Sequence, residues 1–215
     1  MTPPLRDLVR TVAARHEGRA TQGFVAGKLR ADPMLPALLA MPPLGRVVDL
    51  GCGRGQLALA LLLAGRADSI TGFDLDAEKI ARATASATGL PARFVAGDLA
   101  AIDVPAGDTV LLIDVLPQMP HDAQHALLAR ITAAGPARIA IRSFDPDRGW
   151  RSAVGTSLER LRRWMGADLG RGGRVAPLAM ADIAQPLESA GYRVSITPCW
   201  GGTPLPNVLI LAERS

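Results

Sequence analysis

The chain has 215 residues, 48% of them hydrophobic and 20% charged, which is enough apolar material for a core and excludes wholesale disorder. No run approaches the roughly 18 apolar residues of a membrane span, and the prolines at 3 and 4 followed by scattered charges do not read as a secretion signal, so a cytoplasmic protein is expected. The net charge of +4 is uneven: residues 1–46 and 142–174 are each basic, the remainder is acidic, and a basic rim around an acidic site is predicted.

Leu5, Leu8, Val9 and Val12 form the apolar stripe of a first helix, and Asp32-Pro33 introduces a second through Leu35, Leu38, Leu39 and Met41. Strands are then expected at 46–50, 69–74, 92–96, 109–115 and 138–143, alternating with helices at 56–64, 77–88 and 121–134. Such βα alternation means a parallel sheet. Residues 145–173 break the rhythm and read as an insertion holding one amphipathic helix, about 154–165. A helix near 180–190 and strands at 192–197 and 207–212 follow, joined by the turn Gly201-Gly202-Thr203-Pro204, short enough to make the last two strands antiparallel neighbours. The expected organisation is one domain: a helical cap (1–45), a ligand-binding core (46–143), the insertion (144–178) and a closing helix and hairpin (179–215). Cys52 and Cys199 have no metal-ligand spacing and are expected as free thiols.

The chemistry concentrates in Val47-Val48-Asp49-Leu50-Gly51-Cys52-Gly53-Arg54-Gly55, an apolar strand that ends in an acid and three alternating glycines. Gly51 and Gly53 let a ligand lie against the main chain, Gly55 allows close packing of the following helix, and that helix's N-terminus faces the ligand. Asp74, at the end of the second strand, is placed to accept from both hydroxyls of a ribose. Asp98 stands where it can accept from an adenine amine, and Asp114 closes the fourth strand, so four acids line the carboxyl edge of the sheet. A nicotinamide dehydrogenase, the main rival for such a turn, needs a glycine where Gln56 stands, and Asp49 would sit badly beside a pyrophosphate.

On these residues the chain resembles class I S-adenosylmethionine-dependent methyltransferases over almost its whole length. The resemblance implies a Rossmann-like α/β three-layer sandwich with a seven-stranded mixed sheet in the order 3-2-1-4-5-7-6, the last strand antiparallel. It also implies S-adenosyl-L-methionine as cofactor. Asp49 and the glycines Gly51, Gly53 and Gly55 would line its methionine moiety, Asp74 the ribose and Asp98 with Leu99 the adenine, with Cys52, Leu75 and Asp114 as further cofactor contacts.

His121 is the candidate base for a hydroxyl acceptor, since it follows strand four, and His125 lies four residues on, a spacing that also suits a metal. The competing reading is that both are solvated or packing residues, and no metal is assigned. Lys28-Leu29-Arg30-x-Asp32-Pro33, Arg148-Gly-Trp150-Arg151 and the C-terminal Gly202-Thr203-Pro204-x-x-Asn207-Val208-Leu209 resemble small bacterial methyltransferases associated with aryl polyene and related fatty-acid-like biosynthesis. That implies a small-molecule or acyl-carrier-bound acceptor, an aryl hydroxyl or ring carbon, with Lys28, Arg30, Arg148, Trp150 and Arg151 as substrate contacts. Arg160, Arg162 and Arg163 either receive an acidic partner or form a solvated helix face. Nucleic acid is disfavoured: Asp114-Val115-Leu116-Pro117 is not the motif of base-amine methylation, and aromatics make up only 4% of residues. The alternatives are a cofactor-binding regulator or scaffold without turnover, and an RNA methyltransferase.

Overall fold

The structure, a computed structural model, describes residues 3–147, 176–201 and 206–214. The expected helix at 154–165, Arg148, Trp150, Arg151, Arg160, Arg162, Arg163 and the Gly202-Thr203-Pro204 part of the turn lie outside the described residues. The chain divides into two compact units, residues 1–111 and 112–215. Among the described residues, seven strands form one sheet in the order β3-β2-β1-β4-β5-β7-β6, as the resemblance implied.

In the first unit, α1 (Leu5–Ala14) buries Leu8, Val9 and Val12, the stripe read from sequence. A helix that the sequence reading missed follows, α2 (Arg19–Ala31), then α3 (Met34–Ala40). Helix α2 begins after Gly18, at φ 82°, and buries only Val25, Ala26 and Leu29. It packs on α1 and on α4 (Gln56–Leu63), a helix whose Leu59, Ala60 and Leu61 are fully buried. Strands β1 (Arg46–Leu50), β2 (Ser69–Asp74) and β3 (Ala92–Ala96) pair in parallel, which sets Leu50 beside Phe73 and Asp74 beside Ala96. The acids therefore leave the sheet at one edge. Helix α5 (Ala77–Ser86) starts at Asp76, whose carboxylate accepts from the Glu78 and Lys79 amides at 3.0 and 3.1 Å, a side-chain N-cap. The end of α1 is fastened to the end of α5: Arg15 Nε donates to the Ser86 carbonyl at 2.7 Å, its guanidinium also reaches the Thr88 carbonyl, and His16 Nδ1 lies 3.1 Å from Ser86 Oγ.

β4 (Thr109–Ile113) ends two residues earlier than expected, because Asp114 takes the left-handed backbone conformation at φ 61° and turns the chain. In the second unit a short 3-10 turn (Leu116–Gln118) leads to α6 (His121–Ala134), which closes at Gly135 in the left-handed region. β5 (Arg138–Phe144) and β6 (Arg193–Pro198) each pair antiparallel with β7 (Asn207–Glu213), and α7 (Met180–Ser189) packs on α6 and β6. Ile139, Ile141, Leu127, Leu128, Ile183 and Ile210 are fully buried and form this unit's core. Among the described residues, no helix is long and apolar enough to cross a membrane.

Candidate active site

β1 delivers Asp49 to the carboxyl edge with only 2% of its surface exposed. Burial is the main cause that pushes its carboxyl up to about 7, the nearby Asp74 charge adds to the shift, and the Lys28 ammonium opposes it. The loop that follows is pulled onto β2: the Gly51 and Cys52 amides both donate to the Phe73 carbonyl, at 2.7 and 2.9 Å. Asp74 then holds the loop from the other side, its Oδ2 accepting the Gly53 amide at 2.8 Å and its Oδ1 the Asp76 amide at 3.0 Å. An ionised carboxylate has about four lone-pair sites, so two bonds leave capacity for further donors. β3 joins the group when the Gly97 amide donates to the Asp74 carbonyl at 3.0 Å. Asp98 is exposed and spends Oδ1 on the Ala100 amide, whereas Leu99 is buried. Leu75, beside Asp74, is 53% exposed.

Two glycines in the loop act differently. Gly53 has φ 56°, and a side chain there would meet nothing within 4 Å, so the bare main chain faces open space. At Gly55 (φ 71°) a Cβ would lie 3.0 Å from Phe94 Cζ and 3.1 Å from Ala83 Cβ, so the absent side chain makes room for β3 and α5. Gly72, which the sequence reading passed over, is also needed: a Cβ would fall 2.6 Å from the Phe94 ring and 2.9 Å from Cys52 Sγ. Cys52 is buried, and burial, with the Asp49 and Asp74 charges, holds its thiol up in the neutral form, which makes it a packing residue and not a nucleophile.

From α2, Phe24 lays its ring 5.2 Å from the Arg54 guanidinium carbon, and Lys28 is near enough to Asp49 to act on its ionisation. Lys28 and Arg30 part company: Arg30 lines a separate cleft with Leu5 and Arg6. Sequence reasoning also missed His16, which carries no motif. It is 3% exposed, and burial, then the Arg54 charge, keeps its imidazole below the ordinary value.

In the second unit, Asp114 has a partner that sequence spacing did not reveal. Arg142, 5% exposed on β5, donates from Nε to Asp114 Oδ1 at 2.8 Å and from Nη2 to Oδ2, a bidentate fork, and the Asp114 amide donates to the Arg142 carbonyl at 3.0 Å. Gln118 Nε2 donates to the Asp114 carbonyl, while the fully buried Gln124 donates to the Met119 and Ala176 carbonyls at 2.8 and 2.6 Å. These bonds fix the segment after β4. His121 and His125 are exposed on α6, and among the described residues no group of three or more metal-ligating side chains includes them.

Residues 47–134 match the model of a family described as a methyltransferase domain. Among curated proteins, none is similar to the chain in sequence. Magnesium protoporphyrin IX methyltransferase from Synechocystis PCC 6803, with bound SAH, is similar in fold at a TM-score of 0.61 and 23% identity, covering 97% of this chain and 94% of that one. An S-adenosylmethionine-dependent methyltransferase from Mesorhizobium loti gives 0.64 and 17% over 85% and 96%, and human N-acetylserotonin methyltransferase gives 0.62 and 22% over 95% and 56%. The chain shares its fold with these methyltransferases, and the methyltransferase-domain match lies within residues 47–134. The strand-end loop offers open main chain at Gly53, a buried acid at Asp49 and the exposed apolar Leu75 next in sequence to Asp74.

Proposed function

We propose that the chain is a class I S-adenosylmethionine-dependent methyltransferase that methylates a small-molecule or carrier-bound acceptor, at an aryl hydroxyl or ring carbon, in the cytoplasm and in bacterial secondary metabolism. The observation that carries the reading is Asp49, an acid 2% exposed on the strand that runs into the open turn at Gly53. When bound, S-adenosylmethionine supplies a methyl group from a sulfonium whose charge disappears as the bond to the acceptor forms. Asp49 balances the cofactor's ammonium, Gly51, Cys52, Gly53 and Gly55 give it main chain to lie on, and Asp74 accepts from the ribose hydroxyls. Asp98 and Leu99 receive the adenine, Leu75 adds an apolar cofactor contact beside Asp74, and Asp114, held by Arg142, shapes its own turn. Holding the acceptor atom in line is the main task of the protein, since orientation alone supplies about 7 to 11 kcal/mol in favourable cases. His121 takes the proton of a hydroxyl acceptor. Lys28 serves the acceptor side, whereas Arg30 opens on a different cleft with Leu5 and Arg6 and the other acceptor candidates, Arg148, Trp150 and Arg151, lie outside the described residues. The small-molecule names of two of the similar structures are in keeping with this class of acceptor.

Incubation with methyl-labelled cofactor and a bacterial lysate, followed by partition of the label, tests the proposal. Label is expected in small molecules or on a carrier protein. Label in RNA, or bound cofactor with no label transferred, overturns it.

A further inference from the structure

Helix α2 is built in a way that its packing within the chain does not explain. Its buried side is Val25, Ala26 and Leu29, and the other side exposes Gly23, Phe24, Gly27 and Lys28. Positions 23 and 27, and likewise 24 and 28, are four apart and stand one above the other. A glycine in a helix interior is less favourable than alanine. Yet among the described residues nothing lies within 4 Å of where a side chain at Gly23 or Gly27 would sit, and neither has a positive φ, so neither neighbours nor backbone conformation require them. What they provide is bare helix backbone alongside Phe24 and Lys28.

Phe24 is 53% exposed, although it is an aromatic residue in a folded unit. One side of its ring is met by Arg54, at 5.2 Å, and over half of its surface remains for something else. The charge is one-sided: α2 contains Arg19, Lys28 and Arg30 and no acid. Among the described residues, neither Lys28 nor Arg54 has a carboxylate within salt-bridge distance, and Arg54 Nε is buried without a hydrogen-bond partner. A flat apolar body satisfies the ring and the glycine strip, and an anionic group on that body satisfies the cations.

We propose that Gly23, Phe24, Gly27, Lys28 and Arg54 form the acceptor ledge, and that the acceptor is a planar, apolar molecule bearing a negative charge, such as an aromatic or conjugated carboxylate. This deepens the methyltransferase reading and rests on it. Phe24 stacks on the plane, the glycines let it approach the helix, and Lys28 with Arg54 neutralises its charge.

The test uses the full chain with saturating S-adenosylhomocysteine and 2-naphthoate as probe, against neutral 2-naphthalenemethanol, followed by calorimetry or ligand-observed NMR. The carboxylate is expected to bind about tenfold more tightly than the alcohol, and Lys28→Met to remove that preference. Phe24→Ala weakens both probes and leaves S-adenosylhomocysteine affinity unchanged. Gly27→Ala raises the melting temperature while it weakens both probes, a combination that a purely structural glycine does not give. Equal binding of the two probes, or Phe24→Ala and Gly27→Ala variants that bind them like the parent protein, overturns the ledge while the cofactor reading stands. Failure of S-adenosylhomocysteine itself to bind overturns the reading beneath it.

Discussion

Asp74 Oδ2 accepts the Gly53 amide at 2.8 Å across 21 residues of sequence, so the acid proposed to hold a ribose also holds the glycine loop. Asp74→Ala loses both functions, and affinity for S-adenosylhomocysteine is expected to fall by about 3 kcal/mol, roughly a hundredfold. Asp74→Asn keeps an oxygen for the Gly53 amide and should lose about half as much. Isothermal calorimetry distinguishes them, and equal losses would show that the tether to Gly53 contributes nothing.

The raised carboxyl of Asp49 has a direction in pH. In the folded protein it titrates at about 7, in the unfolded chain near the ordinary 3.8, so between those values the folded state holds a proton that the unfolded state has released. Its contribution to stability is complete below about pH 4, is lost as pH rises toward 7 and changes little above. The full effect is on the order of 4 kcal/mol. Urea denaturation from pH 4 to 8 should show this decline, and Asp49→Asn should flatten it. Cofactor binding runs the other way, because a cationic amine favours the ionised acid: S-adenosylhomocysteine affinity should rise up to about pH 7 and then level off.

Gly53→Ala and Gly55→Ala separate ligand access from packing. At Gly55 the new methyl meets Phe94 and Ala83 at 3.0 and 3.1 Å on a left-handed backbone, and a loss of about 2 to 4 kcal/mol of stability is expected. At Gly53 only the backbone term applies, about 1 to 2 kcal/mol, while ligand affinity falls more steeply. Thermal melts with and without S-adenosylhomocysteine measure both.

Asp114→Ala takes from the buried Arg142 its bidentate partner and should destabilise the protein by about 1 to 3 kcal/mol, less than a fully buried pair because the Asp114 side chain is 46% exposed. Asp114→Asn, which retains a hydrogen-bonding group and tolerates the left-handed turn, should cost less than Asp114→Ala. Chemical denaturation near neutral pH provides the comparison.

The alternation of apolar strands and helices was legible because each βα unit carries its own period, and the antiparallel hairpin because its turn is short. Helix α2 was not: Arg19–Ala31 contains Gly23 and Gly27, lacks a side-chain N-cap and shows only three buried residues, so it is recognised through its packing on α1 and α4 rather than through propensity. The acids at strand ends were visible as candidates, but their occupations were not. Asp74 shares itself with Gly53, and Asp114 is taken by Arg142, 28 residues further on, a pairing set by strand adjacency that linear spacing does not display.

Helix α5 has a role that neither of its ends suggests alone. Its first turn is capped by Asp76, whose amide Asp74 grips, and its last residues receive Arg15 and His16, from which the chain passes through Gly18 into α2. It thus works as a strut, with the Asp74 carboxylate braced at one tip and the cationic helix suspended from the other. A substitution such as Ser86→Leu would slacken the suspension and shift α2 while leaving the Asp74–Gly53 tether intact.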